Sequence, residues 1–82
     1  MTQIEKVNIQ SETGSIWELK YYVQELGKAY GLKIERYAAG ETVSEETCGI
    51  TLSYEEAESM ARKLAKGTVT PLSLHDVVDD LS

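Results

Sequence analysis

Cysteine, proline, histidine and tryptophan each occur once in this 82-residue chain, and basic residues are outnumbered 14 to 8 by acidic ones. Each shortage excludes something. A single cysteine, Cys48, rules out an intramolecular disulfide and a four-cysteine zinc site, and it suits a reducing, cytoplasmic compartment. A single proline, Pro71, leaves few hard boundaries between elements. Apolar runs are only a few residues long, such as Ala38-Ala39 and Val77-Val78, far short of the roughly 20 residues that cross a bilayer as a helix. Met1 is followed by Thr-Gln-Ile-Glu-Lys, with no basic stretch or apolar core, so no secretion signal is expected. No internal repeat or low-complexity tract is present. The "GKAYG" stretch at 27–31 lacks the glycine–lysine–hydroxyl spacing of a phosphate loop.

Hydrophobic residues make up 41% of the chain, enough for one globular domain spanning 1–82, near the lower size limit for folding without disulfides or metals. The net charge of −6 is unevenly placed. Residues 1–40 carry five acids and five bases. Residues 41–82 carry nine acids against Arg62, Lys63 and Lys66. Such a chain repels phosphate backbones, so no nucleic-acid partner is expected, and no membrane partner either. The acid surplus serves solubility, or offers an acidic face to a basic partner.

The segment 16–34 fits two templates. As a strand, Trp17, Leu19, Tyr21 and Val23 share one face, Gly27-Lys28 turns the chain, and Tyr30, Leu32 and Ile34 line the return. As a helix, Ser15 and Glu18 make a capping box and Ile16, Leu19, Val23, Leu26 and Tyr30 a stripe. The hairpin is preferred, because the helix would expose Trp17 and Tyr21 and carry Gly27 in its middle. The opening "TQIEKVNIQ" makes a poor edge strand, and "SETG" at 11–14 a turn. "TVSEETCGITLS" reads as a third strand ending over Cys48–Leu52, with Cys48 a small buried hydrophobe.

A capped helix over 53–66 follows. Ser53 caps it with Glu56 three residues on, and Leu52 and Ala57 occupy staple positions. Ala57, Met60, Ala61, Leu64 and Ala65 face inward, early acids and late bases complement the helix dipole, and Gly67 closes it. A short helix over 73–81 repeats the pattern, with Ser73 as cap, Asp76 at the third position and Leu72 stapling onto Val77. Leu74, Val77, Val78 and Leu81 form its aliphatic stripe, and Pro71 sets the bend into it. The expected fold is therefore α+β: a small antiparallel meander of about three strands, one capped helix and a short acidic C-terminal helix.

The tail "VTPLSLHDVVDDL", together with "YGLKIERY" upstream, resembles a family of short uncharacterised bacterial proteins, a domain-of-unknown-function family. Its members end close to Ser-Pro-x-x-Leu-x-Asp-Val-Val-Glu-Asp-Phe-Leu. The aligned positions are Tyr30-Gly31-Leu32, Pro71, Leu74, Asp76-Val77-Val78, Asp80 and Leu81; the sequence departs from the pattern with Thr70 before the proline, Asp79 for glutamate and Leu81 where the pattern has an aromatic. The resemblance implies a small cytoplasmic bacterial protein and transfers no catalytic residue.

Chemistry-bearing residues are few. His75 and Asp79 at i, i+4 would offer one face of a metal site, but no second histidine completes it. Cys48 and His75 would supply a nucleophile and a base, without a nucleophile elbow. Glu45-Glu46 and Glu55-Glu56 are neighbours that point in different directions, and Trp17, Tyr21 and Tyr22 lack the basic company of a nucleic-acid platform. The expectation is a non-enzymatic module with no cofactor that binds a protein partner, or a second copy of itself. Leu74, Val78 and Leu81 would anchor it, with His75, Asp76, Asp79 and Asp80 around them steering toward a basic surface. Two classes compete with it: a small ligand-binding or enzymatic domain around Cys48, His75 and the tyrosines, and a structural subunit of a larger assembly.

Overall fold

The computed structural model describes residues 1–10 and 12–81, with the side chain of Leu81 outside the description. Four strands run β1 (Thr2–Gln10), β2 (Ile16–Leu26), β3 (Ala29–Ala38) and β4 (Glu41–Glu46), followed by α1 (Tyr54–Lys66), a 3-10 turn (Pro71–Ser73) and α2 (Leu74–Leu81). The strands pair in sequence order as one antiparallel meander. The fold is thus α+β, with four strands where the sequence suggested about three.

The ambiguous segment is a hairpin. Leu26 pairs with Ala29 across Gly27-Lys28, and Gly27 takes φ +66°, a conformation that costs glycine little. The β3–β4 turn uses Ala39 and Gly40, both at positive φ, as a two-residue type I′ turn requires. Period-two alternation then divides the sheet. Leu19, Tyr21, Val23, Leu32 and Ile34 are buried on one face, under α1 and α2. The other face carries Glu18, Lys20, Tyr22 and Gln24 opposite Tyr37, Glu35, Lys33 and Gly31, and no element among the described residues covers it.

The opening segment is a full edge strand despite its irregular spacing. A register shift between Gln3 and Glu5 absorbs one residue as a bulge, so Val7 and Ile9 return to the helix-covered face, pairing with Leu19 and Trp17. The reading of a strand ending over Cys48–Leu52 needs correction. Regular pairing stops at Lys33↔Glu46 and resumes only as a lone bridge, Tyr30↔Thr51. Between these pairs β3 advances three residues and the other chain five, so two extra residues bow out. Gly31 permits the close crossing, since a Cβ there would lie 2.8 Å from the Cys48 carbonyl oxygen. Thr47, buried beside it, accepts from the Leu32 N–H at 2.9 Å and donates to the Cys48 carbonyl at 2.8 Å.

Helix α1 follows the local rules. Ser53 accepts from the Glu56 N–H at 3.3 Å, and Ala57, Ala61, Leu64 and Ala65 are buried against the sheet. The expected staple is absent, because Leu52 is 79% exposed and cannot lie on Ala57. At the other end Gly67 is the C-cap, yet its φ is −87°. Thr68 takes the left-handed turn instead, at φ +49°. The Thr68 N–H reaches the Ala65 carbonyl at 3.0 Å, and the Val69 N–H the Leu64 carbonyl at 3.0 Å. That is a Schellman closure with a β-branched residue where glycine is usual.

Helix α2 is entered through the 3-10 turn, with Pro71 at its first position. Leu72 is 94% exposed, so the staple onto Val77 does not form either. Leu74 and Val78 belong to the core cluster, with Val77 packed at its margin. A buried hydrogen bond ties the layers together: the Tyr21 hydroxyl donates to the Val69 carbonyl at 2.7 Å. Burial pushes that phenol up to about 12.

Candidate functional site

The acids of α2 lie on the side of the molecule bounded by β4. Leu74 is fully buried and Val78 nearly so, so neither offers a side chain to a partner. The surface of this region is polar: His75, Asp76, Asp79 and Asp80 are all exposed. His75 Nε2 stands 3.4 Å from Glu45 Oε1, which links α2 to β4. Glu41 shares the helix-side face of β4 with Glu45 and meets Arg36 at 3.8 Å. Arg36 is itself stacked on Trp17, 4.6 Å from the ring centre. The result is an acidic field contributed by a helix and a strand.

The arrangement of charge along α2 is unusual. Asp76 in the first turn favours the helix dipole, but no basic residue occupies the last turn; Asp79 and Asp80 stand there instead. A negative charge near a helix C-terminus costs about 0.3–1 kcal/mol at an exposed position. These two side chains therefore oppose the helix they ride on.

The structure does not join the other expected pairs. Cys48 is exposed in the bowed segment, not buried in a strand, because the two extra residues lift it off the sheet. His75 meets Glu45, and no contact joins it to Cys48 among the described residues. Among those residues no three histidine, cysteine or acidic side chains converge on a point that would hold a metal ion. Tyr21 lies in the core, while Trp17 and Tyr22 fall on opposite faces of β2, so they make no common platform.

One cluster was not anticipated. On the open face, the Tyr37 hydroxyl donates to Glu35 Oε1 at 2.8 Å and the Tyr22 hydroxyl bonds the same carboxylate. Lys20 stands 4.9 Å over the Tyr37 ring, and Lys33 lies 3.8 Å from Glu35. Partial burial raises the Glu35 pKa, but the two hydroxyls and the lysines outweigh it and hold the carboxyl below its usual range. Tyr22 is raised by burial and by Glu35, and Tyr37 by its bond to Glu35. The cluster fastens β2 to β3 across the solvent-facing side. The hairpin register would have revealed it, since a turn at Gly27-Lys28 sets Tyr22 opposite Lys33 and Lys20 opposite Glu35.

No helix is long and apolar enough to cross a membrane among the described residues. Over residues 1–82 the chain matches a family of unknown function, DUF6514, and it belongs to that family. No curated protein and no solved structure matches it.

Proposed function

We propose that this member of the family is a non-enzymatic accessory module of the bacterial cytoplasm that binds a basic protein surface through the acidic face of α2 and β4. The observation that carries the reading is the placement of Asp79 and Asp80 in the last turn of α2. They do not serve the helix dipole. The aliphatic edge of α2 already has its partners in the core, so docking here uses charge and not an apolar stripe. Clustered exposed charge of this kind speeds encounter and selects the partner's sign more than it adds affinity. A second copy of the chain is the simplest alternative occupant, and light-scattering mass distinguishes it.

The test is a tagged pull-down with Asp76, Asp79 and Asp80 all changed to Lys. A protein retained by the wild type and lost from the folded triple variant supports the reading. Identical captured sets at matched thermal midpoints sink it.

One observation favours a second reading, a small ligand-binding or enzymatic domain: the thiol of Cys48 is accessible. It predicts that Cys48 reacts faster than a free cysteine and that a bound ligand protects it. Reaction at the rate of free cysteine, unaffected by small molecules, removes that reading.

A further inference from the structure

The opposite edge of the sheet carries different chemistry. β1 pairs only with β2, and no backbone bond links Thr2–Gln10 to any other element among the described residues. Its outer N–H and C=O groups are therefore open to a further strand. Between this edge and α1 runs a groove of about 330 Å³ lined by Glu5, Val7, Arg62, Ala65 and Lys66. Val7 and Ala65 give it an apolar floor, and Arg62 and Lys66 stand at its rim. Lys6, next along β1, projects from the other face.

Edges are commonly guarded by bulges, brevity or charge. β4 is short and holds three glutamates among its six residues. β1 is nine residues long, and beyond its bulge only Glu5 and Lys6 are charged. A strand added here would meet a cation on each face: Arg62 and Lys66 in the groove, Lys6 on the open side. Glu5 also lines the groove, yet Lys6, Arg62 and Lys66 leave this edge with a positive balance in a chain of net charge −6, and an acidic segment complements it.

We infer that the β1 edge with its groove is a strand-addition site for an extended acidic peptide. The peptide adds backbone hydrogen bonds to β1, and its alternate side chains enter the groove, a recognised mode of peptide capture. Arg62 is held at 2.7 Å by Glu5 and at 3.5 Å by Glu58, so a ligand carboxylate competes with Glu5 for it. The consequence is specific: Glu5→Gln strengthens binding and Lys66→Glu weakens it, although both residues are at the surface.

The experiment is an amide chemical-shift titration of the full chain with three synthetic probes. These are a capped Val-Glu-Val-Glu-Val-Glu peptide, its lysine counterpart, and the glutamate peptide N-methylated on every residue. The glutamate peptide is expected to shift the amides of 2–10 and 62–66 and to bind at least about tenfold more tightly than the other two. Glu5→Gln should tighten it several-fold, and Lys66→Glu should loosen it by about tenfold. The inference is overturned by shifts confined to α2 and β4, by equal affinity of the methylated probe, or by no binding at about 1 mM. Doubled light-scattering mass with β1 amides already protected also overturns it, because a second copy then occupies the edge.

Discussion

Both helices lay an aliphatic stripe on the same face of the sheet, yet they carry charge in opposite senses. α1 has Glu55 and Glu56 in its first turn and Lys63 and Lys66 in its last, the order that its dipole favours. α2 has Asp76 in its first turn and no base in its last, where Asp79 and Asp80 stand. Burial explains the inner edges of both helices. Helix stability explains the outer charges of α1, whereas the acids in the last turn of α2 run against its dipole. The difference separates what α2 does for the core from what its surface is available to do.

The largest effect should come from removing α2. A chain ending at Lys66 loses Leu74 and Val78 from the core cluster, so it is expected to be unfolded by circular dichroism. Leu74→Ala alone should cost about 2–5 kcal/mol in urea denaturation, the range for emptying a buried leucine site. A folded, unchanged truncation product would make α2 an appendage and end its likeness to α1.

Next comes the tie between the sheet and the connection joining the helices. Tyr21→Phe leaves the Val69 carbonyl without its donor and should cost about 1–3 kcal/mol. The same residue sets a pH response. Its phenol is raised from 10.0 to about 12 by burial, so the stability it contributes is complete below pH 10 and is lost as pH rises toward 12. Alkaline unfolding followed by tyrosinate absorbance should show that loss in the wild type and a smaller one in Tyr21→Phe, the remainder coming from Tyr22 and Tyr37, whose phenols are also raised. Glu35 acts at the other end. Its carboxyl is held below the usual value, so its contribution is present at neutral pH and lost as pH falls through the lowered value.

A smaller effect, opposite in sign, is expected at the end of α1. Thr68 holds φ +49°, a region that disfavours side chains and β-branched ones most. Thr68→Gly should stabilise by about 1 kcal/mol, read as a raised thermal midpoint.

How much of this was legible in the sequence depended on whether one rule acted alone. The β2–β3 hairpin was readable because Gly27-Lys28 and strict alternation agreed, and that register already contained the Tyr22–Glu35–Tyr37 cluster. α1 was readable because capping, charge order and the Ala57–Ala61–Leu64–Ala65 stripe coincided. β1 was harder, since the bulge between Gln3 and Glu5 breaks the alternation that marks a strand. Cys48 was misplaced for a related reason: two extra residues opposite Gly31 cannot be counted until the pairing on both sides is known. Leu52 and Leu72 sit at staple positions but have nothing to pack on, a matter of tertiary placement. The groove beside β1 needs Val7 and Ala65, 58 positions apart, to be set side by side by the fold.

Whether the acids of α2 serve its stability is measured most directly by urea denaturation of two charge-reversed variants. Lys63→Glu with Lys66→Glu in α1 should lower stability by about 1 kcal/mol, while Asp79→Lys with Asp80→Lys in α2 should leave it unchanged or raise it by up to about 1 kcal/mol. A loss in the α2 variant as large as that in the α1 variant would contradict the account, because the acids would then belong to the fold and not to a partner.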